Sequence, residues 1–168
     1  MKKLERKGWK KLGLKRVESV ADHSFALALI ALLEAERRKY DPGVVMKLAL
    51  IHDLEEAITG DLTPADRKAQ GESRVRHERD VAIRKLLKIM PAKSRPSYKR
   101  LWMDLRLLRT KEARLVHQLD KFEMVLQAAT YSKTVGRQKV TDFYDSATRE
   151  INDGLLWKEL KSVIGELG

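Results

Sequence analysis

The sequence predicts an all-α protein, a single-domain helical bundle, on three observations. Apolar residues recur at helical spacing along most of the 168 residues. No alternating apolar–polar run is long enough to make a useful strand, and no hairpin turn separates two such runs. Helix start and stop residues stand where the apolar patterns need them: Asp41 before Pro42, Gly60 after an apolar run, and Thr110 before a long one. The length suits one domain over residues 1–168 with a substantial core and leaves little room for a second.

The first strong element is "SFALALIALLEAERRKY", Ser24 to Tyr40, apolar nearly all round for two turns and then charged. That pattern predicts a central helix that is buried at its start and emerges into solvent. Asp41 caps the next helix with Pro42 at its first position. The segment "GVVMKLALIHDLEEAIT" predicts one continuous helix, apolar at Val45, Leu48, Ile51, Leu54 and Ile58 and ending at Gly60. Thr63-Pro64 opens a short turn or helix. Residues 72–90 form a basic amphipathic helix with Val81, Ile83, Leu86 and Leu87 inward, and "PAKSRP" interrupts it. Residues 97–109 make another helix. Thr110 caps a long one to about Tyr131, with Leu115, Leu119, Phe122, Val125 and Leu126 on its apolar side. Thr141 starts a further helix, and "LLWKELKSVI" closes the pattern.

Composition narrows the chemistry. The chain is 43% hydrophobic and 35% charged, which describes a globular protein rich in helix formers. The longest apolar run, Phe25 to Leu33, is too short to span a bilayer, and the basic start "MKKLERKGWKK" is followed by no secretory apolar region. The expected location is cytoplasmic, with no membrane partner. There are no cysteines, so disulfides and thiolate metal sites are excluded, and any metal must be held by His, Asp and Glu. The formal charge of +11 favours anionic partners. The bases are interleaved with acids and match no nucleic-acid reader motif, which favours a solvated basic surface over a nucleic-acid groove.

One stretch concentrates polar chemistry inside a core-like pattern. "ALIHDLEEAITGD" carries His52, Asp53, Glu55, Glu56 and Asp61 between apolar residues. On a helix Asp53 and Glu56 are three apart and His52 and Glu56 four apart, so they share a face. Adjacent His52 and Asp53 can converge on one ion at the seam between their directions. Imidazole nitrogen with carboxylate oxygen suits Mn, Fe, Co, Ni or Zn better than Ca or Mg. Glu55 points off that face and reads as surface charge. The remaining ligands must come from elsewhere. His23 opens the most buried helix, and Asp120 lies among Leu119, Phe122 and Val125, where a lone carboxylate needs a cation. Each residue alone has an ordinary reading: a cap for His23, a pair with Lys121 for Asp120, a solvated face for "DLEE". Their ordered combination does not.

That ordered set resembles the HD-domain metal phosphohydrolases, whose signature is a lone His, a His-Asp pair and a distal Asp on an all-α fold. It is matched by His23, His52 with Asp53, and Asp120. "RKGW" at 6–9, "ESVADHS" at 18–24, "IHDLEEAITGDLTP" at 51–64 and "LDKFEMVLQA" at 119–128 are similar to the 5′-deoxynucleotidase branch. The resemblance runs from about residue 4 to 131. It implies a homodimeric phosphomonoesterase that removes the 5′-phosphate of deoxyribonucleoside monophosphates with one divalent transition metal (Co, Mn, Ni, Fe or Zn). It implies catalytic roles for Glu56 and Asp61 and a substrate-pocket position for Arg6 and Trp9. Trp9 would stack on the base or pack against the sugar at C2′. Lys10, Lys11, Lys15 and Arg16 make this region richer in bases than the pattern, so phosphate binding is not confined to Arg6 on sequence grounds. His77 and His117 match no ligand position. Rival readings are an HD hydrolase of triphosphates, cyclic nucleotides or an alarmone, and a basic nucleic-acid-binding module, which leaves the His/Asp set unexplained.

Overall fold

The computed structural model describes residues 1–166, all helix, turn and loop apart from one isolated antiparallel bridge between Glu5 and Ser19. The helices are α1 (Lys7–Lys10), α2 (Val20–Arg38), α3 (Pro42–Ile51), α4 (Glu56–Thr59) and α5 (Pro64–Gln70). They continue with α6 (Glu72–Ile89), α7 (Arg95–Leu107), α8 (Lys111–Val135), a 3₁₀ turn (Arg137–Val140), α9 (Thr141–Glu150) and α10 (Gly154–Glu166). No helix among the described residues is long and apolar enough to cross a membrane.

Local chemistry accounts for the main boundaries. The Ser19 side chain accepts from the Asp22 amide while the Asp22 carboxylate accepts from the Ser19 amide, a reciprocal cap that starts α2. Asp41 accepts from the Val44 amide with Pro42 behind it, and Thr110 accepts from the Ala113 amide at the start of α8. Gly60, at φ 78°, ends α4 in a conformation that a β-carbon disfavours.

The centre of the molecule is the packing of α2 against α3 and of both against α8. Leu27, Ala31, Ala35, Val45, Leu48, Val116, Leu119 and Val125 are buried there. Alanines at 28, 31 and 35 leave α2 without bulk on one stripe and let its neighbours approach closely. α9 and α10 cover the outer side of α8 with Tyr144, Leu156 and Leu160. A second cluster, Ile51, Ile83, Leu87 and Trp102, joins the end of α3 to α6 and α7.

Three features position the site. The N-terminal segment runs back beside the start of α2, with Arg6 N donating to Glu18 O and Val20 N to Leu4 O. That brings Arg6 next to His23. α8 crosses α2 at Asp120 and Glu123. The third feature departs from the sequence expectation. The predicted continuous helix over 43–59 stops at Ile51, and Leu54, Glu56, Ala57 and Ile58 donate to carbonyls three residues back. Such tightened turns eclipse residues three apart and recur at functional sites. Asp53 and Glu56 therefore still share a direction, whereas the four-residue relation of His52 to Glu56 no longer holds.

Candidate active site

His23 projects from the first turns of α2 and is fully buried. Its Nδ1 is bonded to the Glu123 carboxylate on α8. The C-cap residue of α3, His52, has its Nδ1 at 2.7 Å from the Ala49 carbonyl, which can only accept, so Nδ1 carries the proton. In the neutral form of each ring the two Nε2 lone pairs then face each other, at 3.1 Å. Asp120 Oδ1 lies 3.1 Å from His23 Nε2, and Asp53 Oδ2 lies 2.9 Å from His52 Nε2 and 3.9 Å from His23 Nε2. His23, His52 and Asp120 offer donor atoms within 4.8 Å of one another, and Asp53 adjoins this set of three through His52.

This donor set fits a divalent cation. Two imidazole lone pairs facing each other repel unless a cation lies between them. Donor atoms bound to one ion at about 2.1 Å stand about 3 to 3.4 Å apart, close to the 2.9–3.1 Å of the nearest pairs here, while Asp53 and His23 stand wider at 3.9 Å. Without a metal, a proton takes that place on His23. Burial disfavours its charged form, yet hydrogen bonds to Asp120 and Glu123 outweigh this and raise its pKa to about 9. The cluster thus stabilises positive charge between these rings. Burial also works against ionised Asp53 and Asp120. His52 nevertheless holds Asp53 below the usual carboxylate range, and Lys121 with His23 holds Asp120 well below it. Asp120 uses both of its oxygens: Oδ2 meets Lys121 Nζ at 3.1 Å while Oδ1 faces the histidines. The ordinary pairing and the ligand position coexist.

A cavity of about 600 Å³ opens on one side of this cluster, lined by Arg6, Trp9, Asp53, Glu56, Asp61 and Asp120 among others. Arg6 is one-sixth exposed, with Nη1 3.7 Å from Asp53 Oδ2 and Nε 3.5 Å from Glu18 Oε1. Glu56 is pushed above the usual carboxyl range by burial and by the nearby Asp53 and Asp61, and its Oε2 has no hydrogen-bond partner. Asp61 Oδ2 accepts from the Lys7 amide at 2.5 Å, which ties the loop after α4 to the start of α1 and so fixes Arg6 and Trp9 relative to Glu56.

Trp9 differs from expectation. It is 1% exposed, stacked on Phe143 at 4.1 Å, edge-on to Tyr131 at 5.3 Å, and donates from Nε1 to Glu18. With its face already covered, Trp9 has no surface to stack on a base; it forms part of the wall. Glu55 is also corrected. It is fully buried, and its Oε1 accepts from Arg79 Nε at 2.6 Å. Glu18 and Glu123 are site residues that sequence reasoning passed over. Glu123 stands three residues after Asp120 inside the quoted "LDKFEMVLQA", the one signal that marked it. His77 is exposed, and His117 lies 3.3 Å from Glu150, outside the ligand cluster.

The fold and the cluster together define a class: an all-α protein in which α2, α8 and the turn after α3 bring together two histidines and two aspartates, a donor set that fits a divalent cation. The HD domain family model matches residues 1–160, and the chain belongs to that family. It is 33% identical over 168 residues to the human 5′-deoxynucleotidase HDDC2, covering 99% of this chain and 79% of that protein. It is 36% identical over 148 residues to the Xenopus laevis protein of the same name, covering 87% of this chain and 72% of that one. Among solved structures, the PH0347 protein from Pyrococcus horikoshii OT3 superposes with a TM-score of 0.81 at 29% identity, over 99% of this chain and 94% of that one.

Proposed function

We propose that the protein is a metal-dependent 5′-deoxynucleotidase. It hydrolyses the 5′-phosphate of deoxyribonucleoside monophosphates to deoxynucleoside and phosphate. The observation that carries this reading is the pair of imidazole Nε2 atoms facing each other at 3.1 Å beside Asp53 and Asp120, with Arg6 and Glu56 on the cavity next to them. The similarity to proteins named 5′-deoxynucleotidase supports the substrate class.

His23, His52, Asp53 and Asp120 would hold one transition metal of the Co, Mn, Ni, Fe and Zn set. When bound, it neutralises charge on the phosphate oxygens and makes a water available as nucleophile near neutral pH. The protein groups do the rest. Arg6 meets a phosphate oxygen with a planar, permanently charged fork and offsets charge that grows during attack. Glu56 lines the cavity; burial and acidic neighbours raise its pKa, and a cation held beside Asp53 would offset those neighbours, so that Glu56 is ionised and takes the proton of the attacking water as general base. Asp61 holds the Lys7 amide with one oxygen and lines the same cavity as Glu56, and the proton taken from water passes through this pair of carboxyls to the departing 5′ oxygen. Trp9 supports the cavity wall from behind, holding Glu18 beside Arg6.

The proposed assembly is a homodimer. α2 leaves Phe25, Leu29 and Leu33 71%, 51% and 58% exposed at four-residue spacing, beside Met46 and Leu50 of α3. Light scattering should give twice the chain mass, falling toward the monomer in Phe25→Asp. The activity test is phosphate release from deoxy- and ribonucleoside monophosphates, with di-, tri- and cyclic nucleotides alongside, under each metal and under none. Faster release from triphosphates or cyclic nucleotides than from deoxynucleoside monophosphates would overturn the assignment.

A further inference from the structure

A second cavity, about 410 Å³, meets the metal cluster from another side. Asp53, Arg67 and Asp120 line both cavities. Away from that shared wall the second cavity is lined by Arg76 and Arg79 from one face of α6 and Arg106 from α7, with Glu55 and Glu72 among them. Arg79 is held by the buried Glu55, and Arg106 is paired with Asp80 while its guanidinium lies 5.3 Å from the Trp102 ring. Arg67 and Arg76 have no ion-pair partner among the described residues. Burial, then the charges of Arg76 and Arg79, push Arg106 below its ordinary value. Most carboxylates of this wall are engaged, Glu55 by Arg79, Glu150 by His117 and Lys121, and Asp53 and Asp120 within the histidine cluster, so Arg67 and Arg76 outnumber the remaining Glu72 and a multivalent oxyanion completes the balance. Guanidinium forks match such an anion in geometry as well as charge.

We infer that this arginine cavity is a second phosphate-binding site, adjoining the metal centre and distinct from the Arg6 side. It holds inorganic phosphate through Arg76 and Arg106, with Arg79 fixed in place by Glu55 and Arg67 bridging the two cavities. Its use as a path for product phosphate to leave, away from the departing nucleoside, rests on the phosphomonoesterase reading. The binding itself does not.

The test is calorimetric titration of inorganic phosphate into the full-length, metal-loaded protein. Arg76→Gln/Arg106→Gln is the working variant, because Arg79 is needed to balance buried Glu55, and Arg6→Gln reports on the other cavity. The expected result is a phosphate-binding event that survives Arg6→Gln and weakens at least tenfold in Arg76→Gln/Arg106→Gln, with thermal melting unchanged. Equal phosphate binding by wild type and the double variant overturns the proposal, as does complete loss of binding in Arg6→Gln. A double variant that binds free phosphate normally but binds deoxynucleoside diphosphates more weakly also overturns it, since the cavity would then serve the distal phosphate of a nucleotide. Failure of the deoxynucleotidase assay with the phosphate event intact rejects the proposed function and leaves this site standing.

Discussion

Glu123 fixes the imidazole of His23 by holding Nδ1, so that Nε2 faces Asp120 at 3.1 Å and His52 at 3.1 Å. The carboxylate lies on α8 and the ring on α2, so one contact sets both the tautomer and the crossing of two central helices. A partner of this kind governs metal affinity without touching the metal.

Glu123→Gln keeps an acceptor for Nδ1 but loses the charge. Metal affinity should fall about tenfold, and about a hundredfold in Glu123→Ala. A competition titration with a chromogenic chelator measures it. Asp120→Asn should lower affinity further, because it removes a donor oxygen. Unchanged affinity in Glu123→Ala would mean that His23 is held by helix packing alone.

Glu56→Gln should retain the metal and lose rate. Its Oε2 has no partner and the residue lines the cavity beside Arg6, so the amide fills the same space without accepting a proton. Loss of a general base lowers kcat by about 10²–10⁴-fold with KM little changed. Metal content by mass spectrometry and steady-state kinetics on one preparation separate this from ligand loss. Near-normal kcat would remove Glu56 from the chemistry.

The helices and most caps were legible in the sequence because they depend on neighbours a few residues apart, as with Asp41 on Val44 and Thr110 on Ala113. The ligand candidates were legible through residue type and order, since a chain without cysteine leaves few donors. What sequence missed depended on distant partners. Glu55 reads as surface until Arg79 is folded against it, and Trp9 reads as a free aromatic until Phe143 covers its face. The break after Ile51 was hidden because Leu54 and Ile58 continue an apolar period that suits either an α-helix or a tightened turn.

Arg79→Ala should destabilise the fold. Glu55 is fully buried, and Arg79 is its ion-pair partner in the structure. Removing one member of such a pair leaves an uncompensated carboxyl, at a cost here of about 2 kcal/mol because Arg79 itself is partly in solvent. Urea denaturation gives the number. Glu55→Leu in the Arg79→Ala background should recover most of it, since no buried charge then remains. If Arg79→Ala melts with the wild-type midpoint, the pair carries no structural weight.

Asp153 gives the fold an acid-sensitive joint far from the metal. It takes two bonds from Arg38, at 2.7 and 2.8 Å, and also accepts from the Leu155 and Leu156 amides at the start of α10. The Arg38 bonds lower its pKa from 3.8 to about 2. A carboxyl whose folded pKa is depressed stabilises the protein above its unfolded value, and the contribution disappears as pH falls through the folded value. The window is therefore about pH 4 down to about 2. The side chain is a quarter exposed, so screening leaves about 1 kcal/mol of the effect. Asp153→Asn preserves the amide cap, because Asn is as good an N-cap as Asp, and removes only the ion pair. The variant should be about 1 kcal/mol less stable than wild type at pH 7, with the gap closing between pH 4 and 2. A gap that stays constant down to pH 2 in urea melts would show that the loss comes from packing rather than charge.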